Sequence, residues 1–266
     1  MRKIELYEVG PRDGFQMVDE FIPLETKARI VEGLLDAGLR HVQMTSFVSP
    51  KAIPQMKDAG ELASMFVGKY PDADLFALVP NLRGAEAAWD SGMTSVSYVV
   101  SLSESHNRAN IRRTHEESLA GLQAILATYP QMDVCLDLST TFGCPFEGMK
   151  TKDDVVPFLA PYVDSGIRTV NLCDTIGIAN PAQVRRIIEA VWAEYPSLDL
   201  QVHIPGSFRL VVQPGVSDPV ETVLPYVKPL IPTPDMRVAG RDVGDRLVQV
   251  MERFAFELDQ DLVPGV

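Results

Sequence analysis

The chain is short of positive charge: 24 Lys and Arg stand against 36 Asp and Glu, a formal net charge of -12 over 266 residues. That balance disfavours nucleic acid as a partner, because such affinity comes largely from Lys and Arg neutralising phosphates. An anionic ligand must then be held by a local basic patch. Cysteine is scarce as well. Cys135, Cys144 and Cys173 are an odd number at wide spacing, which argues against a disulfide framework and for a reducing compartment. Cys135 lies among apolar neighbours and is expected in the core. No apolar run reaches about 18 residues and no basic, apolar leader opens the chain, so neither a membrane span nor a secretory signal is indicated and a cytoplasmic location is expected. No G-x-G-x-x-G follows the first strand-like run, which leaves a dinucleotide fold without specific support. No internal repeat or low-complexity segment stands out.

What is present is a rhythm. Strand-like runs at Ile4 to Val9, His41 to Thr45, Asp74 to Val79, Ser95 to Val100, Met132 to Ser139, Thr169 to Leu172 and Leu198 to His203 alternate with helical patterns at about 24–37, 56–68, 82–91, 115–128, 152–165 and 181–195. Alternation of this kind predicts βαβ units and a parallel sheet. With 46% hydrophobic residues and a length close to the roughly 250 residues typical of the architecture, the expectation is an α/β fold, a (β/α)8 TIM barrel, as one domain over residues 1–266. A doubly wound open sheet is the alternative. From Ile204 to Pro234 seven prolines, from Pro205 to Pro234, break the rhythm, since proline interrupts helices and central strands. A short helix over Asp218 to Val227, an eighth strand at Met236 to Ala239 and a helix over about 243–257 are the elements that would close the barrel.

The first strand runs into Glu8-Val9-Gly10-Pro11-Arg12-Asp13-Gly14-Phe15-Gln16. An acid beside a guanidinium at a strand's carboxyl end can ligate a hard divalent cation, while cation and Arg together stabilise an enolate oxygen. A surface ion pair closing a loop is the plainer reading of the motif by itself. It recurs in kind, however: Thr45-Ser46-Phe47-Val48-Ser49-Pro50-Lys51, Val79-Pro80-Asn81, Gly143-Cys144-Pro145-Phe146-Glu147-Gly148 and Asp174-Thr175-Ile176-Gly177 all follow strands. In a barrel those loops share one face and build the active site.

Taken in order, these five motifs resemble the 3-hydroxy-3-methylglutaryl-CoA lyases, metal-dependent lyases built on this barrel, from residue 4 to about 203 and weakly near 240–257. The resemblance implies cleavage of an acyl-CoA with a tertiary 3-hydroxyl into acetyl-CoA and a 3-oxo acid, aided by Mg²⁺ or Mn²⁺. It implies Asp13 and His203 as metal ligands, Arg12 as the enolate-stabilising catalytic residue and Asp174 as a catalytic residue that orients substrate or moves a proton. For Asp174 a turn-forming role stays open; helix capping is better suited to Asn180 before Pro181. For His203 a structural role stays open. The basic stretch Ser103 to Arg113 either pairs CoA phosphates, through Arg108, Asn110 and Arg112, or is a solvated loop running into a capping box at Thr114 and Glu117. An acyl-CoA substrate and a possible homodimer are the expected partners.

The sequence also departs from that family. Pro205 replaces the second histidine of its His-x-His, Arg241 aligns with its asparagine ligand, Gln43 stands where the second strand carries an acid, and no cysteine follows Cys173 to match its catalytic loop. Cys144 belongs to a different loop. Nothing in the sequence brings His41, His106 or His115 to the site. A barrel that binds acyl-CoA or a protein partner without turnover is therefore the alternative function.

Overall fold

The computed structural model describes residues 5–204 and 208–212. Its strands are β1 (Leu6–Glu8), β2 (His41–Ser46), β3 (Asp74–Val79), β4 (Ser95–Ser101), β5 (Asp133–Ser139), β6 (Gly143–Cys144), β7 (Gly148–Met149), β8 (Thr169–Cys173), β9 (Asp199–Ile204) and β10 (Phe208–Val212). The α-helices are α1 (Gly10–Asp13), α2 (Leu24–Asp36), α3 (Ala59–Phe66), α4 (Leu82–Asp90), α5 (Glu104–Ile111), α6 (His115–Thr128), α7 (Lys152–Asp164) and α8 (Pro181–Glu194). Apart from the β6–β7 hairpin, the strands close a barrel in the order β1-β10-β9-β8-β5-β4-β3-β2. The expected barrel and its strand-helix alternation are present.

Seven of the barrel strands run parallel, and β10 is antiparallel to both β9 and β1. This differs from the expected eighth strand at Met236 to Ala239, which lies outside the described residues, as do the helices expected at Asp218 to Val227 and 243–257. The reason is chain length. A parallel pair needs a crossover of about a dozen residues or more, whereas β9 and β10 are separated by residues 205–207 alone, so the second strand can only fold back.

Strand side chains alternate between two environments. Val42 and Met44, Ala77 and Val79, Val96, Tyr98 and Val100, Leu136 and Leu138, Val170 and Leu172, and Leu200 and Val202 are all buried and form the core with helix residues such as Leu62, Phe66, Leu122, Ile125, Ile187 and Val191. The intervening residues point into the barrel, and many are polar. Gln43 Nε2 donates to Ser97 Oγ at 2.7 Å although β3 lies between their strands, so this bond crosses the interior. Asn171 Nδ2 donates to Asp137 Oδ1 at 2.9 Å. Above this polar belt, at the carboxyl ends of the strands, opens a cavity of about 840 Å³. Below it a cavity of about 330 Å³ is lined by Glu5, Asp74, Asp133 and Asp199. Cys135, expected in the core, is half-buried and lines that lower cavity, because its place in the alternation points it inward.

Helix ends follow the sequence signals. Asn180 Oδ1 accepts from Gln183 N–H at 3.0 Å, and Thr114 and Glu117 form the expected capping box. The stretch Glu104–Ile111, for which a solvated loop was one of the two sequence readings, is helix α5, capped by Ser103 Oγ, which accepts from His106 N–H at 3.1 Å. Among the described residues no helix is long and apolar enough to cross a membrane.

Candidate active site

The chain leaves β1 through Val9 and turns at once into α1, with Pro11 in its first turn, where a missing N–H costs nothing. Asp13 N–H donates to Val9 O at 2.8 Å and Gly14 N–H to Gly10 O at 2.7 Å. A Cβ on Gly14 would lie 2.7 Å from Gly10 O, so this tight turn requires glycine. Glu8, 2% exposed, ties the turn back to the strand by accepting from Gly10 N–H at 2.5 Å. Its other oxygen is buried without a hydrogen bond among the described residues. Burial pushes the Glu8 carboxyl up to about 7, with a smaller contribution from Asp13.

This single turn sets Arg12 and Asp13 side by side in the wall of the upper cavity. Arg12 Nε donates to Gln43 Oε1 at 2.8 Å, and its guanidinium is paired with Asp13 Oδ1. Gln43, fully buried, thereby links Arg12 to Ser97. Because Gln43 is an amide and not an acid, Arg12 meets no carboxylate from β2 and its charge remains directed to Asp13 and the cavity.

From the other side of the barrel seam, His203 Nε2 comes within 3.9 Å of Asp13 Oδ2. Asp13 Oδ1 also accepts from Gln16 Nε2 at 3.4 Å. The structure thus brings together the two residues expected as metal ligands. Among the described residues no cluster of three His, Cys, Asp or Glu has metal-holding geometry, and Pro205 and Arg241 lie outside them. A small hard cation is often held by one or two protein donors, with water and substrate oxygens completing the shell. Asp13 and His203 fit that open arrangement. The cavity is also built for a polar ligand: Ser46 Oγ lines it, 1% exposed, with no hydrogen bond among the described residues.

Asp174 lines the cavity too, 3% exposed, but its carboxylate has a structural task. Oδ1 accepts from Ile178 N–H at 3.1 Å and Oδ2 from Ala179 N–H at 3.0 Å, closing a turn in which Gly177 adopts φ 69°. The turn-forming reading is present in the geometry, and the lone pairs not so engaged are the ones available to a ligand. In the basic stretch, Asn110 and Arg113 line the cavity. Arg108 lies outside, 61% exposed and paired with Glu104 at 2.9 Å. Arg112 ends α5 in the left-handed region at φ 57°. Cys144 is a structural thiol: it accepts from Phe146 N–H at 3.3 Å and contacts Ser103 Oγ at 3.0 Å.

Two cavity residues, Asp137 and Cys173, were not legible as site residues beforehand; the inward phase of the strand alternation was the available signal. Arg113 and His106 belong to the basic stretch singled out in the sequence, but nothing there placed His106 at this cavity, because its position depends on how α5 folds over β4.

A mostly parallel α/β barrel with an Arg-Asp pair, a histidine and an acid around a cavity at its carboxyl-end face belongs to the class of barrel enzymes that work through their strand-to-helix loops. The family model described as HMGL-like matches residues 3–207, and the chain belongs to that family. It is 37% identical over 204 residues to hydroxymethylglutaryl-CoA lyase YngG of Bacillus subtilis, covering 76% of this chain and 68% of the relative. It is 36% identical over 211 residues to a 3-hydroxy-3-isohexenylglutaryl-CoA/hydroxy-methylglutaryl-CoA lyase of Pseudomonas aeruginosa, covering 78% and 69%. The chain spans only 44% of the Arabidopsis thaliana mitochondrial lyase. Among solved structures, the Bacillus subtilis HMG-CoA lyase superposes with a TM-score of 0.75 at 28% identity over 96% of this chain and 95% of that one. An HMG-CoA lyase of Acinetobacter baumannii, solved with coenzyme A and 3-methylmalate, gives 0.68 at 35% identity over 74% and 66%.

Proposed function

We propose that the protein cleaves a 3-hydroxy-3-methylglutaryl-CoA-like acyl-CoA to acetyl-CoA and a 3-oxo acid. The observation that carries this reading is the Arg12 guanidinium, oriented by buried Gln43, beside Asp13 with His203 at 3.9 Å. Breaking the carbon-carbon bond moves an electron pair onto the thioester, and a mostly buried guanidinium at the wall of the cavity stabilises the enolate oxygen that results. Asp13 and His203 would hold a divalent cation, Mg²⁺ or Mn²⁺, which when bound polarises substrate oxygens and eases loss of the hydroxyl proton. Asp174, anchored by two backbone N–H groups, orients the substrate from β8. Asn110 sits at the cavity and Arg108 and Arg112 on the exposed side of α5, a placement suited to the pantetheine arm and the phosphates of CoA.

The test is release of acetyl-CoA from 3-hydroxy-3-methylglutaryl-CoA in the presence of Mg²⁺ or Mn²⁺, with binding of the same acyl-CoA followed by calorimetry. Turnover that depends on the cation supports the lyase reading. Saturable binding with no acetyl-CoA replaces it with a non-catalytic acyl-CoA binder.

A further inference from the structure

The chain has four histidines, and in three of them the ring lies against a carboxylate. His41 lies between Asp74 and Glu5, His115 between Glu104 and the Ser101 carbonyl, and His203 faces Asp13. The fourth, His106, is half-buried in the wall of the upper cavity that also holds Arg12, Asp13 and His203. Its Nδ1 is 2.7 Å from Ser101 Oγ, and its Nε2 makes no hydrogen bond among the described residues.

The ring is held in place by its neighbours. Ser103 Oγ caps α5 by accepting the N–H of His106 itself. Asn107, fully buried, accepts from Ser101 N–H at 2.9 Å and donates to Ser118 Oγ and Arg113 O, both at 2.9 Å. The first turn of α5 is thereby fastened to both β4 and α6. In the tautomer whose Nδ1–H donates to the Ser101 hydroxyl, Nε2 carries the free lone pair and can accept a proton. Burial lowers the pKa of the ring, which keeps it neutral and able to accept a proton at neutral pH. The carboxylates nearest on its own helix and on the β6–β7 hairpin are already paired, Glu104 with Arg108 and His115 and Glu147 with Lys150. From the hairpin its ring neighbour is Phe146, at 6.3 Å between centroids. The charged groups sharing its cavity are Arg12, Asp13, Arg113, Asp137, Asp174 and His203.

We propose that His106 is the proton-transferring catalytic residue of this cavity, an assignment that rests on the lyase reading. Nε2 takes the proton of the substrate's tertiary hydroxyl. The oxygen's electron pair forms the new ketone C=O as the bond from the carbinol carbon to the thioester's α-carbon breaks. The pair from that bond becomes the enolate of acetyl-CoA, with its oxygen toward Arg12. The imidazolium then returns the same proton to the enolate carbon and completes the methyl group. No proton is gained or lost overall, and no further reactant is required.

The experiment compares wild type, His106→Ala and His106→Asn, each with Mg²⁺ or Mn²⁺ and 3-hydroxy-3-methylglutaryl-CoA, and repeats the Ala variant with added imidazole. The expected result is a fall in kcat of about 10²-fold or more in both variants, with KM nearly unchanged and saturable recovery of the Ala variant by imidazole. Either variant retaining wild-type kcat overturns the assignment, as does a loss that imidazole leaves untouched in a protein with wild-type melting. If the Ala variant does not fold, the Asn variant decides by the same kcat and KM criteria, since its amide can still contact Ser101 but cannot carry the proton. A wild-type protein that releases no acetyl-CoA overturns the lyase reading first, and the assignment with it, so the two failures are told apart by the wild-type arm.

Discussion

At the end of β1, Glu8 is a carboxyl that the fold prefers uncharged. One oxygen accepts from Gly10 N–H, the other is buried without a hydrogen bond among the described residues, and burial raises its pKa from 4.5 to about 7. The folded state therefore binds a proton that the unfolded chain releases above about 4.5. The stability this contributes is fully present below that point and is lost as pH rises through about 7. Glu8→Gln keeps an acceptor for Gly10 without the charge. It should raise Tm by several degrees at about pH 8, where the buried carboxylate costs up to about 3 kcal/mol, and leave Tm nearly unchanged at about pH 4.5. Thermal melts of both proteins across that range check this, and an equal shift at both ends would remove Glu8 titration as the cause. Arg12 shows the same economy of placement. Its motif was legible in the sequence, but its orientation comes from Gln43 and Ser97, which lie on β2 and β4. No local pattern relates those positions.

Among the elements, α5 carries the most weight for the least apolar surface. Its sequence, Glu104 to Ile111, has little amphipathic character, so no helical pattern marks it in the sequence. Its attachment to the barrel is polar and runs through Asn107. Substituting Asn107→Leu removes these bonds and leaves buried backbone and hydroxyl groups unsatisfied, at an expected cost of about 2–4 kcal/mol. Urea denaturation should show that loss, and hydrogen exchange should show reduced protection in α5 before any change in β5 or β8. The barrel strands, by contrast, were legible almost residue by residue, because alternation of apolar and polar side chains is written locally. β10 was not: it falls in a proline-rich stretch, and its direction is set by the short link from β9.

For the molecule as a whole, the central matter is how a barrel that brings Asp13 to His203 would handle a cation. Asp13 follows β1 and His203 stands on β9, so the cation site proposed for them would span the seam where the barrel closes. Asp13→Asn removes the charged donor while keeping its shape, and should weaken Mn²⁺ affinity by at least about 10-fold in a calorimetric titration. Equal affinity in the variant would place bound Mn²⁺ elsewhere. Acyl-CoA should tighten Mn²⁺ binding in the wild-type protein if its oxygens complete the shell.

By itself the sequence determined the βα rhythm, the outward core positions and the motifs at the strands' carboxyl ends, because each is encoded by neighbours within one element or one turn. It also placed the chain in its family, through five motifs in order. The tertiary structure alone decided that Gln43 orients Arg12, that Asp13 meets His203, that β10 runs antiparallel and that His106 joins the cavity. Those contacts join residues whose separation along the chain carries no periodic signal. They arise only when the strands curl round a shared interior and bring distant side chains onto one inner wall.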